Sequence, residues 1–496
     1  MAIGSMTFPQ EPVSTGDKTP VITNWTPIVP YTVHVDDISG LFYFKIILSI
    51  YLGASASGQL IGKLKQRRNG YTVDISADKA TAIFDMRDIV NSQLEDTIAD
   101  AKEPTKSIHL LGKNNEDYIF SENNNQIRQV YVKGTVEYSS SAEDSPQEYA
   151  SPNFDDTRFY IAASLPLEDG RGTDNFQTDS FENYTSSSSD EFMLTDTAKQ
   201  RSIVSLSGSR QYVNYLRSDD YHTIGFLNDK TNFGSECKYF EIVYYEADGS
   251  KIGEKMYIEN ALSTGGADPS DDTASGIDNK NARRLLYFGC GPKNLEEAED
   301  VPAKEESGSP SDGAARPSNF SGYAYYSIRG SKAADDDTGY TTTPYYFVLE
   351  DGSCKGYKVR RLGWRNSKGC YDYFNFKRKS IQTLEVARNE YETMLGNFSS
   401  DMYSYDNFDR GKRTRQTTAV LKETINTDWL NEDQVSLMES LLMSTNVNII
   451  QNADTTFTVP VMITDKSIIR KTSANDKLKI QYTFKIEYAN PYNTNS

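Results

Sequence analysis

The segment Lys477 to Ala489 alternates with period two. Leu478, Ile480, Tyr482, Phe484, Ile486 and Tyr488 fall on one side, and Lys477, Lys479, Gln481, Thr483, Lys485 and Glu487 on the other. Only a strand sends successive side chains to opposite faces, so one face lies on a core and the other meets water or a polar partner. Leu41 to Leu52 repeats the pattern. Its even positions, Phe42 through Leu52, are all apolar, while the odd ones are mixed. A chain with two such strands, and with shorter ones between turn residues, belongs to the mainly β class.

The rest of the chain fills out that class. Gly70 to Ile75, Gln129 to Tyr138, Arg158 to Ser164, Arg201 to Leu206, Leu285 to Cys290 and Cys370 to Lys379 read as strands. Lys238–Tyr245 and Lys251–Glu259 flank Ala247-Asp248-Gly249-Ser250, the signature of a hairpin. Thr343–Glu350 and Lys355–Leu362 around Asp351-Gly352-Ser353 suggest a second. Two short helices are expected. Met86 to Asp96 follows the cap residue Asp85, and Asn431 to Met443 opens with Asn431 and Gln434 in capping-box spacing. Ile381 to Leu395 fits a helix and a strand equally. Long polar loops are expected at Ser139 to Asp156, Asp169 to Asp196, Ser263 to Asn281 and Leu295 to Pro317.

The expected architecture is tandem antiparallel β-sandwich domains with a few short helices and long polar loops. The divisions are an extended N-terminal arm over 1–30, a sandwich-like domain with a short helix over 31–165, a middle β domain over 166–345, and a C-terminal β domain over 346–496. Pro9, Pro12, Pro20, Pro27 and Pro30 keep the arm out of helix and of regular ladders. Such an arm suits lacing across a neighbouring subunit.

Charge and composition narrow function. Lys and Arg number 52 against 70 Asp and Glu, a formal net charge of −18. A chain so acidic is badly suited to nucleic-acid backbones or anionic membranes, since both are gripped by basic side chains. Met1 to Pro20 lacks the basic start and apolar middle of a signal peptide. The strongest apolar run has 12 residues and contains Lys45, where about 20 are needed to span a bilayer. Cys237, Cys290, Cys354 and Cys370 form no CxxC pair and read as thiols of a reducing compartment.

Catalytic signals are weak. The three histidines, His34, His109 and His222, accompany no G-x-S-x-G. Gly363 to Gly369 lacks phosphate-loop spacing and reads as a basic turn. Gly289-Cys290-Gly291-Pro292 reads as a tight bend. The acid clusters Asp268, Asp271, Asp272 and Asp335 to Asp337 lack calcium-loop order. The sequence therefore points to no enzyme, no cofactor and no metal. Arg410 to Arg415, with Arg410, Lys412, Arg413 and Arg415, is the local positive patch. In an acidic chain it suits a protein interface, together with the arm residues Pro20, Pro27 and Pro30.

Two stretches carry a family resemblance. One is Phe42 to Asp88, ending Ile83-Phe84-Asp85-Met86-Arg87-Asp88-Ile89-Val90. The other is the C-terminal block. It runs through Tyr373-Phe374-Asn375-Phe376, Trp429-Leu430, Leu441-Leu442-Met443-Ser444, Pro460-Val461-Met462-Ile463-Thr464-Asp465 and Asn475-Asp476-Lys477-Leu478, to Glu487-Tyr488-Ala489-Asn490. Together they cover about a third of the chain. The chain resembles virion structural proteins of tailed bacteriophages, in particular tail and baseplate-region proteins of marine and Bacteroidetes-infecting phages. The resemblance implies a non-enzymatic β-sandwich subunit of a symmetric assembly, made in the host cytoplasm and resident in the virion. Its partners are then copies of itself and other virion proteins, placed in the tail, the baseplate or a tail-end ring. A head or collar component is an alternative. A second alternative is a virion-attached module for host-surface carbohydrate. Trp364, Tyr371 and Tyr373 beside Asp372, or Tyr323, Tyr325 and Tyr326, are then the stacking platform.

Overall fold

The computed structural model describes residues 6–10, 21–22, 31–67, 79–94, 108–112, 119–122, 126–163, 193–201, 210–227, 237, 239–260, 285–297, 303–305, 322–331, 343–350, 356–409, 411–450, 458–468, 480–489 and 492–495. The protein is mainly β, with several antiparallel sheets and few, short helices. It divides into two compact units, Met1–Glu350 with Asn366–Asp372, and Asp351–Arg365 with Tyr373–Ser496.

Among the described residues the first unit holds two large cores. In one, a five-stranded sheet takes the order Val21–Ile22, Gln147–Ile161, Ile127–Ser139, Phe42–Leu52, Gln59–Arg67. Phe44, Ile46, Leu48 and Ile50 from its fourth strand share a core with Tyr31, Val33 and Val35 of a smaller sheet. The apolar side of the alternation is thus the buried one, as period two requires. Phe42 at the strand's end remains exposed. The loop expected over Ser139 to Asp156 is shorter than that, because strand Gln147–Ile161 reaches back to Gln147, with exposed side chains over 147–151. A strand that is polar on both faces leaves no alternation to read. The expected helix is also shorter. It spans Arg87–Asn91, and Asp85 Oδ1 accepts the Arg87 N–H at 3.1 Å. The strand expected at Gly70 to Ile75 lies outside the described residues, and so does Arg201 to Leu206 apart from Arg201.

The other core lies against a seven-stranded sheet containing the expected hairpin, Tyr239–Tyr245 with Lys251–Glu259. Phe226, Phe240, Phe288, Tyr326 and Phe347 fill it. Leu285–Gly289 is fully buried, as its unbroken apolar run demands. The bend after it leads into the helix Pro292–Glu297. Gly291 is obligatory there: a Cβ would lie 2.3 Å from the His222 backbone nitrogen.

The second expected hairpin is not formed. Tyr345–Leu349 is taken on both edges, by Tyr325–Ser331 and, in parallel, by Arg210–Leu216. Arg360–Arg365 belongs to a different sheet, beside Val447–Ile450. Local turn chemistry at Asp351-Gly352 was outweighed by non-local pairing.

The second unit holds most of an eight-stranded sheet, Tyr371 and Asp372 falling in the first unit, and among the described residues one α-helix. The order is Tyr371–Phe376, Arg360–Arg365, Val447–Ile450, Thr458–Ile463, Thr483–Tyr488, Lys412–Asn426, Ile381–Glu392, with Tyr492–Asn495 also on Lys412–Asn426. The last long strand is shorter than its alternation suggests, starting at Thr483. Ile480 instead bridges Leu430. Phe484 and Ile486 are buried, and Thr483 and Lys485 face out. The helix Val435–Met443 follows a turn opened by a capping box between Asn431 and Gln434. Its Met438 and Leu441 are fully buried in the unit's core with Trp364 and Phe484. Removing the cap by Asn431→Ala should cost about 1 kcal/mol, read as a lower urea midpoint for the C-terminal unit.

Candidate assembly interface

The edge strand Ile381–Glu392 pairs with Lys412–Asn426 through twelve residues, from Ile381 opposite Thr424 to Glu392 opposite Lys412. All twelve of its side chains are exposed. The inner strand has other neighbours only part of the way. Thr483–Tyr488 covers Lys422 to Asn426, and Tyr492–Asn495 covers Gln416 to Ala419. Beyond Gln416 the described residues form a two-stranded ribbon. A two-stranded ribbon alone is marginal in water, so its root must be held.

The root is held by a buried charge. Glu423 accepts hydrogen bonds from Arg360 Nε at 2.6 Å, Tyr488 Oη at 2.9 Å and Gln382 Nε2 at 3.0 Å. Burial alone raises a carboxyl, but these donors and the Arg360 charge hold Glu423 below the usual range. Burial, with the Glu423 carboxylate, in turn pushes the Tyr488 hydroxyl up to about 12. The network ties both ribbon strands to the sheet. Farther out, Lys422–Glu385 and Lys412–Glu390, both at 2.6 Å, link the strands across the surface. Exposed pairs of this kind add little stability.

The ribbon's far end folds into a small hairpin, Asn397–Ser399 with Met402–Ser404. Its two turn residues, Ser400 and Asp401, have φ of 48° and 69°. A tight two-residue hairpin turn needs this left-handed pair, usually with glycine or asparagine. Gly396 is needed as well, because a Cβ there would lie 2.1 Å from the Ser404 carbonyl. Around this hairpin Met394, Phe398, Met402, Tyr403, Tyr405 and Phe408 are exposed, Phe398 by 65% and Phe408 by 80%. At roughly 200 Å² per large side chain, the six present roughly 800 Å² to solvent. The largest apolar patch on a typical monomer is about 300–600 Å², and a standard interface buries about 800 Å² per partner.

Lys412, Arg413 and Arg415 lie exposed on the ribbon's inner strand, beside this apolar end. Arg410 lies outside the described residues, as do Pro20, Pro27 and Pro30, the loop Ser263 to Asn281, and Ala298 to Pro317 except Ala303–Glu305. Of the helix and the strand that its sequence fits, Ile381–Glu392 forms the strand. With both faces exposed, Ile381–Glu392 lacks the one-sided pattern that marks a strand. The signal that was there is the density of large apolar side chains from Met394 to Phe408 among Asn, Ser and Asp.

The aromatic residues expected as a sugar platform are core side chains. Trp364 is fully buried and donates from Nε1 to Ser440 Oγ at 3.2 Å. Tyr373 is buried, with the Arg361 guanidinium 5.2 Å from its ring centre. Tyr325 and Tyr326 are buried in the middle sheet, while Tyr323 is partly buried. Tyr371 and Asp372 are buried in the first unit. Alternation inside strands turned these rings inward.

Asp372 sits in a polar cluster. Its Oδ1 accepts from Thr195 Oγ1 at 2.5 Å, and its Oδ2 accepts from the Asp196 N–H at 2.8 Å and Asn366 Nδ2 at 3.1 Å. Lys368 Nζ lies 3.1 Å from Asp196 Oδ1 and donates to the Thr195 carbonyl at 2.8 Å. Thus 193–196, expected as loop, is largely buried. The Gly363 to Gly369 segment is a strand-to-strand turn whose lysine is already engaged. Burial, and after it the Asp196 carboxylate, push the Asp372 carboxyl up to about 6. The adjoining cavity, lined by Asn214, His222, Tyr345 and Tyr371 among others, has room for about one water. A substrate does not fit there.

Among the described residues no group of three His, Cys, Asp or Glu could hold a metal ion, and no helix is long and apolar enough to cross a membrane. His34 Nδ1 is 2.6 Å from Thr81 Oγ1, and His109 packs edge-on against Tyr371. No protein-family model matches the chain, and no curated protein is similar to it. The exposed ribbon is therefore the feature with the clearest functional meaning.

Proposed function

We propose that this chain is a non-enzymatic structural subunit of a tailed-phage virion. Its sheets pack as tandem sandwiches, and it assembles into the tail, the baseplate or a tail-end ring with copies of itself and other virion proteins. The ribbon ending in about 800 Å² of exposed apolar surface carries the assembly part of this reading. Such a surface, on a root fixed by a buried charge network, suits a partner's groove better than water. The phage part rests on the resemblance of the two terminal stretches. Three buried free thiols, Cys237, Cys290 and Cys370, fit assembly in a reducing cytoplasm.

The test is the solution mass of the full chain by light scattering across concentrations. A discrete multiple of 55.7 kDa is expected. A monomer at every concentration overturns self-assembly. The rings named for the carbohydrate-binding alternative are buried, apart from the partly buried Tyr323.

A further inference from the structure

The ribbon has a second unused surface besides its tip, the outer edge of Ile381–Glu392. That strand ends the sheet, with Lys412–Asn426 on one side and, among the described residues, no strand on the other. Natural edge strands are guarded by charged side chains, lysine above all, or by proline, bulges or shortness. This one is twelve residues long and contains neither lysine nor proline, its charges being Glu385, Arg388, Glu390 and Glu392. The ribbon does contain a bulge, but its extra residue, Arg415, sits on the inner strand, where Asn389 and Glu390 oppose Gln416 and Thr414. The edge strand itself stays regular and presents alternate backbone N–H and C=O groups outward.

We propose that this edge pairs antiparallel with the same strand of a second copy, about a two-fold axis at Val386. The inference rests on the assembly reading above and specifies its contact. A two-fold axis normal to a sheet sets some residue opposite itself, so the registers can be enumerated. Centring on Glu385 sets two carboxylates face to face, and centring on Arg388 sets two guanidiniums face to face. Like charges directly opposite are destabilising. Centring on Ala387 puts Leu384 against Glu390 and Val386 against Arg388. Centring on Val386 leaves Leu384 against Arg388 but puts Val386 against Val386 and Ile381 against Tyr391, with no like charges together. Ile381, Val386 and Tyr391 are all exposed in the single chain.

Charge favours a second copy as the occupant. Residues 381–426 carry six basic and seven acidic side chains, while the whole chain carries −18. Two strongly acidic bodies repel, and the near-neutral ribbon is where they can approach. Antiparallel pairing also runs each ribbon past the root of the other. Met394 then lies alongside Arg378 of the second copy. There Arg378 and Asp428 form an ion pair at 2.6 Å, next to Trp429, which is 56% exposed. The apolar tip thus meets an exposed indole. A two-fold contact of this kind adds to head-to-tail contacts in dihedral assemblies.

The experiment uses the full chain with Cys354→Ser, and compares Val386→Cys with Asn389→Cys under mild oxidation on non-reducing gels, beside the reduced mass in solution. Opposed residues of an antiparallel pair lie about 4.5–5.5 Å apart, within disulfide reach. The two copies of residue 389 are about 20 Å apart in this register. The expected result is a covalent dimer from Val386→Cys and none from Asn389→Cys. An oligomer in solution whose Val386→Cys form stays uncrosslinked overturns the two-fold pairing and leaves the assembly reading standing. Crosslinking at 389 but not 386 overturns the register. A monomer at all concentrations overturns both.

Discussion

Phe398→Asp with Phe408→Asp removes self-association and leaves both units folded. The two rings are among the most exposed large apolar groups of the ribbon tip, so a single chain loses little when they change. In an assembly each copy buries both. Burying one phenylalanine contributes about 1.5–3 kcal/mol, and a buried unpaired carboxylate costs more than the lost ring. Even the lower end for two rings comes to about 3 kcal/mol, a weakening of at least about 100-fold. Light scattering reads the change as a fall from oligomer to monomer, with the thermal midpoints of both units unchanged. An unaltered mass rules the tip out of the contact. A lost mass together with lowered midpoints would mean that the tip supports the fold instead.

The sequence was informative where a strand has one wet and one dry face. Phe42–Leu52 and the Tyr239–Tyr245 hairpin were legible because alternation and an Asp-Gly turn are local signals, set within a dozen residues. Three kinds of element were not. The pairing of Tyr345–Leu349 with Arg210–Leu216 joins residues more than a hundred positions apart, and no local pattern encodes it. Residues 147–157 and Ile381–Glu392 are strand without an apolar face, so backbone pairing holds them and hydrophobic periodicity is absent. Asp372, expected as the acid beside a surface platform of Trp364, Tyr371 and Tyr373, is buried with Thr195 and Asp196, more than 170 residues earlier in the chain. Its neighbours Tyr371 and Trp364 followed strand alternation inward. Aromatic residues beside an acid look the same in sequence whether they face a ligand or a core. The ribbon shows the converse, since its tip carries exposed Phe398, Met402, Tyr405 and Phe408 in a stretch that drew no expectation from the sequence.

Asp372 also gives the chain a stability term with an unusual sign. Its carboxyl titrates near 6 in the folded protein, against about 3.9 for an unfolded aspartate. Between these values the folded state holds a proton that the unfolded state has released. Stability from this group therefore falls as pH rises through the window, and the penalty is complete above about pH 6. The two-unit difference corresponds to roughly 3 kcal/mol at neutral pH. Asp372→Asn is neutral at every pH and removes the penalty. Its Oδ1 can accept from the Asp196 N–H and Asn366 Nδ2, while its amide faces the Thr195 hydroxyl, which rotates to accept. The other 69 acids give their own acid dependence, so the readout is the difference between variant and wild type in urea unfolding of the first unit. That difference should be near zero at pH 3, reach about 1 kcal/mol in the variant's favour at pH 4.5 and about 3 kcal/mol at pH 7, leveling off above pH 7. A difference that stays flat with pH shows that Asp372 is ionised throughout. A variant that is less stable at pH 7 shows that Lys368 and the three donors make the charged form the favoured one, and that the cluster is held together by its charge rather than in spite of it.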